Sequence, residues 1–360
     1  MATDAMLHTF LHEVTALGIP GCALTILRDG KTVFSAAAGT RDADGKIPMD
    51  GKELLNLYSC SKPVTCAAAL QLLEQGRIRL EDPLWAYLPE FREMSVREGD
   101  VVRPAKTEIT LLHLFTMTAG FNYDAALFAP MQARDPRCPT VETVRSLAAF
   151  PLDFEPGTAW QYSFCHDVLA AVVEIVSGER FSCYVRRHIF EPLGMECSTF
   201  LLPEERLCEV APQYAWLGGR LVFCGPRIQR YQAGPSYESG GAGLVSTAED
   251  YLRFLEALRL GGGGILRPET VDLMLRDRLD SRTRPTYWYD DYGYGLGVRV
   301  PLPGKIPADF GWGGAAGAYL MVDTQRRLTS FFTMHVLMPP DKERCRLLLR
   351  SSVTDFADSL

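Results

Sequence analysis

Apolar residues at Leu7, Phe10, Leu11, Val14 and Leu17, with His8, His12 and Glu13 between them, recur at helical spacing and predict a surface helix over residues 4–17. Two strand-like runs follow, Cys22–Leu27 and Thr32–Ala38, flanking Arg28-Asp-Gly-Lys31, a hairpin signal with Asp29-Gly30 at the turn. From Ser59 to about residue 235 the spacing is mostly helical, with helices expected at 110–117, 140–149, 166–177 and 181–190 and Pro-rich breaks at 82–90 and 151–157. The texture then reverts. Ser246-Thr-Ala-Glu249 reads as a capping box opening a helix that stops at Gly261-Gly-Gly-Gly264. Residues 293–300, 306–312, 317–323 and 328–336 read as strands, Asp323-Thr-Gln-Arg326 as a turn, and 341–357 as a closing helix.

Strands at both ends with helices between them predict an α+β fold: one antiparallel sheet, flanked by helices and completed by both chain ends, with a large, mostly helical domain inserted. The expected sheet domain is 1–58 with 236–360 and the helical domain 59–235, which places any site made by both at their junction. Neither an internal repeat nor a low-complexity segment is evident.

Composition narrows the function classes. With 360 residues, 47% hydrophobic, the chain can bury a large core. A net charge of −7 argues against nucleic-acid and anionic-membrane partners, and no apolar run approaches a membrane span. The ten cysteines include no C-x-x-C and no Cys/His spacing of a zinc site, so they read as small buried hydrophobes in a reducing compartment. The first basic residue is Arg28, so the N-terminus lacks the pattern of a signal peptide and a cytoplasmic location is expected. No metal or other cofactor is expected.

The chemistry concentrates in Leu57-Tyr-Ser-Cys-Ser-Lys-Pro-Val-Thr-Cys66. If Ser59 begins a helix, Lys62 at i+3 projects over the same face, setting a nucleophile beside a base. Pro63 suits a first turn, good to fair helix formers follow, and Gly76 is a C′ stop. A helix N-terminus also favours a developing oxyanion. The bland alternative makes Ser59 an ordinary N-cap.

Three more segments turn this spacing into a constellation: Pro156-Gly-Thr-Ala-Trp-Gln-Tyr-Ser163, Glu238-Ser-Gly-Gly-Ala-Gly-Leu-Val-Ser-Thr-Ala-Glu-Asp250 and Phe310-Gly-Trp-Gly-Gly-Ala-Ala-Gly317. In this order, with Gln71-Leu-Leu-Glu-Gln-Gly76, Glu191-Pro-Leu-Gly-Met195 and Tyr292-Gly-Tyr-Gly-Leu296, the chain resembles the serine β-lactamase and penicillin-binding-protein superfamily, and most closely its family VIII carboxylesterase branch. The resemblance implies a β-lactamase/transpeptidase-like fold, Ser59 as the acylated nucleophile, Lys62 as its base and Tyr162 as the phenol relaying protons. It implies an oxyanion hole from the Ser59 and Ala315 N–H groups, with Trp312, Gly313 and Gly314 along the site's edge; Phe164 and Tyr123 are read as further substrate-binding residues. A lysine needs desolvation or positive potential nearby to serve as a base at neutral pH.

Two departures bear on substrate. Penicillin-active members carry Asn two residues after the tyrosine and Lys or His at the start of the third motif; here these positions are Phe164 and Trp312, which offer neither carboxamide nor cation. The expected activity is therefore ester hydrolysis on a small-molecule ester, with an acyl acceptor other than water also open. The alternatives are a β-lactamase or D-amino-acid peptidase, and an inactive binding or scaffold protein on the same fold. No Gly-x-Ser-x-Gly elbow is present. His113, His166, His188 and His335 read as structural, and a thiol enzyme built on Cys60 or Cys165-His166 is disfavoured because adjacent helical residues point apart. The run Tyr287-Trp-Tyr-Asp-Asp-Tyr292, with Phe121 and Tyr123, fits either the wall of an acyl pocket or a surface loop packing on its own rings.

Overall fold

The computed structural model describes residues 2–225, 233–305 and 308–360. The N-terminal periodicity forms the helix Ala2–Ala16, and strands Gly21–Arg28 and Lys31–Gly39 make the expected hairpin. Asp29 and Gly30 both take left-handed φ, 50° and 73°, which is what a two-residue hairpin turn demands of its central pair. At the other end, Tyr319–Asp323 pairs with Leu328–Met334. The four join in one antiparallel sheet, ordered Tyr319–Asp323, Leu328–Met334, Gly21–Arg28, Lys31–Gly39, with Cys22 opposite Met334.

Strand alternation divides the interior in two. Leu328, Phe332 and Met334 face the helices at the two chain ends, packing with Leu7, Phe10, Val14, Leu349 and Phe356. Phe331, Leu320 and Val322 face the other way, into a larger core with Tyr251 and Phe254 of the helix Ala248–Arg259. That core runs from Leu55 to Phe331 and so takes residues from both sides of the expected boundaries at 58/59 and 235/236. The segment 59–235 also carries two hairpins, Ser95–Glu98 with Val101–Pro104 and Gln213–Leu217 with Arg220–Gly225.

Several local expectations are corrected. The 293–300 strand is a tight hairpin, Tyr292–Tyr294 and Arg299–Pro301, folded about Gly297 at φ 84°, where a Cβ would lie 2.3 Å from the Cys66 sulfur. Of the 306–312 strand, residues 306 and 307 lie outside the described residues, and Phe310 and Gly311 make only isolated bridges to Val322 and Arg299. The 328–336 strand stops at Met334; Val336–Leu337 turns away to pair in parallel with Tyr214 and Ala215. The N-cap moves by one residue and is no capping box: Ser246 ends a strand, Thr247 accepts from the Asp250 N–H at 3.2 Å, and the Asp250 carboxylate accepts from Cys197 and Ser198 instead. The 181–190 helix changes to a π turn at Arg186–Phe190. Pro192 has no N–H for the His188 carbonyl, which accepts from Gln71 Nε2 at 2.9 Å instead. Six cysteines are buried as expected, but Cys197 and Cys208 are exposed.

The helix Ser61–Glu74 runs through the middle of the large core. Every residue from Ser61 to Leu72 is buried, so it shows no polar face, and it ends at Gly76 (φ 70°) with Arg77 N–H donating to the Leu72 carbonyl at 3.0 Å. It packs on the helix Cys165–Ser177, with Ala67-Ala68-Ala69 on one helix and Ala170-Ala171 on the other as small residues that permit close approach. Gly240 closes the junction: a Cβ there would stand 2.4 Å from the His166 carbonyl and 2.6 Å from the Ala170 methyl. Gly240→Ala is therefore expected to lower stability by about 1–3 kcal/mol through overpacking, read as a lower urea midpoint with unchanged slope; an unshifted midpoint would show that the junction yields.

Candidate active site

The strand Leu55–Tyr58 pairs with Leu244–Ser246 and delivers the chain to a sharp turn before the central helix. Tyr58, buried, adopts φ 48°, a region bulky residues avoid. The surroundings over-determine it: its hydroxyl donates to Gln213 Oε1 (3.1 Å), and its carbonyl accepts from Ser61 Oγ (2.5 Å). Ser61 Oγ also accepts from the Leu244 N–H at 2.9 Å, and the Tyr251 hydroxyl holds the Cys60 carbonyl at 2.7 Å. The helix itself begins at Ser61, with Cys60 as an N-cap that makes no side-chain bond. Ser59 thus lies one residue ahead of the cap, correcting the expectation that it starts or caps the helix. Its hydroxyl is not spent on capping and turns to Lys62 and Tyr162.

Lys62 Nζ lies 3.3 Å from Ser59 Oγ and donates to the Gly241 carbonyl at 2.6 Å. It is fully buried and sits over two rings, 4.4 Å from the centroid of Tyr162 and 5.3 Å from that of Tyr123. Burial pulls its pKa down to about 7, against the opposing pull of the Asp167 carboxylate. The Tyr162 hydroxyl donates to Ser59 Oγ, and burial raises the phenol above its ordinary range, leaving it protonated at neutral pH. The three residues singled out from the sequence therefore meet around one oxygen.

The third motif comes in from the C-terminal half. A Cβ on Gly314 would fall 2.5 Å from the Leu57 carbonyl, so only glycine lets this backbone run beside the strand that leads into Ser59. Ala315, half-buried, packs with Tyr58 and Ala316. The buried Trp312 ring lies 6.1 Å from Tyr162 at 14°. Phe164 is buried between Tyr123 (4.5 Å, stacked) and Phe128 (4.6 Å), so it supports the Tyr123 wall from behind. Gly313 borders Arg346 of the closing helix Lys342–Ser359, whose guanidinium would stand 3.2 Å from a Cβ there. This cation, already bonded to Tyr289 (3.2 Å) and Glu343 (2.9 Å), was not legible from the motif alone.

Sequence reasoning also missed Asp167. The carboxylate is fully buried, accepting at Oδ1 from Tyr237 (2.8 Å) and Ser239 (2.6 Å), and its Oδ2 lies 2.4 Å from where a Gly241 Cβ would be. A lone acid immediately before the apolar stretch Val168 to Val173 was the available signal. The histidines serve structure: His113 completes a capping box with Thr110, and burial holds His166, bonded to the Phe115 carbonyl, down to about 3. Burial pushes the thiols of Cys60 and Cys165 up to about 12, which removes them as thiolate nucleophiles at neutral pH. Among the described residues no group of three or more His, Cys, Asp or Glu side chains is placed to hold a metal ion, and no helix is long and apolar enough to cross a membrane.

A serine between a desolvated lysine and a phenol, on a turn between an antiparallel sheet and a buried helix, is the arrangement of the β-lactamase/transpeptidase-like fold. The chain matches the Beta-lactamase family model over residues 7–353 and belongs to that family. It is 31% identical to esterase EstB of Burkholderia gladioli over 338 residues, covering 84% of this chain and 82% of that protein. It is 28% identical to monacolin J acid methylbutanoyltransferase of Aspergillus terreus, covering 85% of this chain and 78% of that one. The solved structure of EstCE1, described as a hydrolase with promiscuous acyltransferase activity, superposes with a TM-score of 0.81 at 26% identity, covering 98% of this chain and 100% of that one.

The Asp167 carboxylate favours the charged form of Lys62, so removing it shifts the balance toward the free amine. Asp167→Asn, which keeps an acceptor for Tyr237 and Ser239, should lower the Lys62 titration midpoint from about 7, measured by NMR of isotope-labelled lysine; a midpoint that rises would refute this reading of the site's charge.

Proposed function

We propose that the chain is a serine carboxylesterase that works through an acyl-enzyme on Ser59. The observation that carries this is the position of Ser59 Oγ within reach of both Lys62 Nζ (3.3 Å) and the Tyr162 hydroxyl, with Lys62 held at about 7. A base with that pKa is substantially neutral at physiological pH. Ser59 Oγ attacks the ester carbonyl carbon while its proton passes to Lys62 Nζ. The Ser59 and Ala315 N–H groups take the oxyanion. Collapse breaks the bond to the alcohol oxygen, which takes a proton from Tyr162, and the Lys62 ammonium restores the phenol. The amine is then neutral again, and water or an alcohol reverses the sequence on the acyl-enzyme.

The esterase and acyltransferase names of the relatives support this chemistry, and Phe164 and Trp312 support an ester over a lactam. The substrate is a small neutral ester. Short neutral esters are expected to exceed penicillins in kcat/KM by about a hundredfold, the scale of forgone charge-assisted bonds of roughly 1.5–3 kcal/mol.

Ser59→Ala should abolish hydrolysis of p-nitrophenyl butyrate in a folded protein, and a serine-directed phosphonate should add once, on the peptide carrying Ser59. An adduct on a cysteine, or turnover by the mutant, would sink the proposal. Lys62→Ala and Tyr162→Phe should each slow turnover by more than about a hundredfold, non-additively because both serve one proton path. The rate should fall as pH drops below about 7, where Lys62 takes up its proton and ceases to be a base. A profile flat through that range would contradict the assignment of Lys62.

A further inference from the structure

Trp288 is 57% exposed, an unusual position for the largest apolar side chain. It is nevertheless held: its ring lies 4.9 Å from Trp160, 4.9 Å from Tyr162 at 32°, and 6.3 Å from Trp312 at 18°. Three rings brace it and much of its surface is left to solvent. Its neighbour Tyr162 is the ring whose hydroxyl reaches Ser59 Oγ.

Proton bookkeeping turns this position into a direction. When the ester bond breaks, the alcohol oxygen takes a proton from Tyr162, so that oxygen must come within hydrogen-bond distance of the phenol. The alcohol's substituent therefore extends over the rings bordering Tyr162, away from the acyl carbon. Resting on the esterase reading above, we infer that Trp288, with Trp312 behind it, is the platform of an alcohol subsite, and that it takes primary alcohols carrying a flat aryl group. The same alcohols serve in the second half-reaction. There the alcohol O–H gives its proton toward Tyr162 and Lys62, its oxygen bonds to the acyl carbon, and Ser59 Oγ leaves and regains a proton. An aryl alcohol held on the platform competes with water for the acyl group.

On this inference Trp288, of the aromatic run 287–292 that the sequence offered as an acyl wall, serves the alcohol side instead. An aryl ring on an open indole gains offset stacking that an alkyl chain cannot. The test compares benzyl butyrate with n-butyl butyrate, which share an acyl group and leave primary alcohols. Wild type should favour the benzyl ester about three- to tenfold in kcat/KM, the range set by a single aromatic pair. Trp288→Ala should bring the ratio close to one, and Trp288→Phe should keep most of it. The ratio of transfer to benzyl alcohol over transfer to n-butanol should fall in parallel.

Phosphonate labelling of Ser59 in each variant reports an intact site independently of the alcohol. Labelling with an unchanged ester ratio in Trp288→Ala, or a wild type without benzyl preference, overturns the alcohol subsite and leaves the esterase standing. No labelling and no turnover of either ester by wild type brings down both.

Discussion

The amine of Lys62 is held in a place where an ammonium ion is poorly solvated, and the rest of the site answers to that constraint. Moving a charge out of water is costly, and this lysine relieves the cost by approaching neutrality at about 7. The burial comes from the helix Ser61–Glu74, whose alanines and small polar residues let it be enclosed on every side. Besides Ser59 Oγ, its hydrogen-bond partner is the Gly241 carbonyl at 2.6 Å, in a glycine-rich segment that must press against both helices to supply it. The packing that stabilises the fold is thus the same packing that holds Lys62 close to neutrality beside Ser59.

Asp167 shows the balance from the other side. A fully buried carboxylate near the same amine would be a liability if unpaired, and two hydroxyls, from Tyr237 and Ser239, hold it. Its charge opposes the effect of burial on Lys62, so the amine settles near neutrality where burial alone would depress it further. Two opposed effects, with burial the larger, set its value.

Much of this was legible in the sequence, for physical reasons that also explain the rest. Local periodicity and turn chemistry are written in neighbouring residues, so the hairpin at Asp29-Gly30, the Gly76 stop and the closing helix were found. Ser59, Lys62 and Tyr162 carry residue types that a resemblance can match. Placement of the cap at Thr247 was off by one because Ser246 is bound into a strand with a partner nearly two hundred residues away. The contacts of Asp167 and Arg346 and the exposure of Trp288 could not be read locally for the same reason, since each depends on segments distant in the chain. The Tyr292–Pro301 hairpin reads as one strand until Cys66 is seen to press on Gly297.

The pairing of Gly21–Arg28 with Leu328–Met334 joins segments some three hundred residues apart, and it has a consequence in time. During synthesis, Ser59, Lys62 and Tyr162 all leave the ribosome while the strands that complete the sheet are still untranslated. Closing so long a loop before any contact rewards it is slow, and the Gly313-Gly314-Ala315 backbone cannot settle beside Leu57 until the sheet exists. A nascent chain therefore carries Ser59, Lys62 and Tyr162 through much of its synthesis before residues 313–315 can lie beside them. Assembly of this cluster waits on the last strands of the sheet.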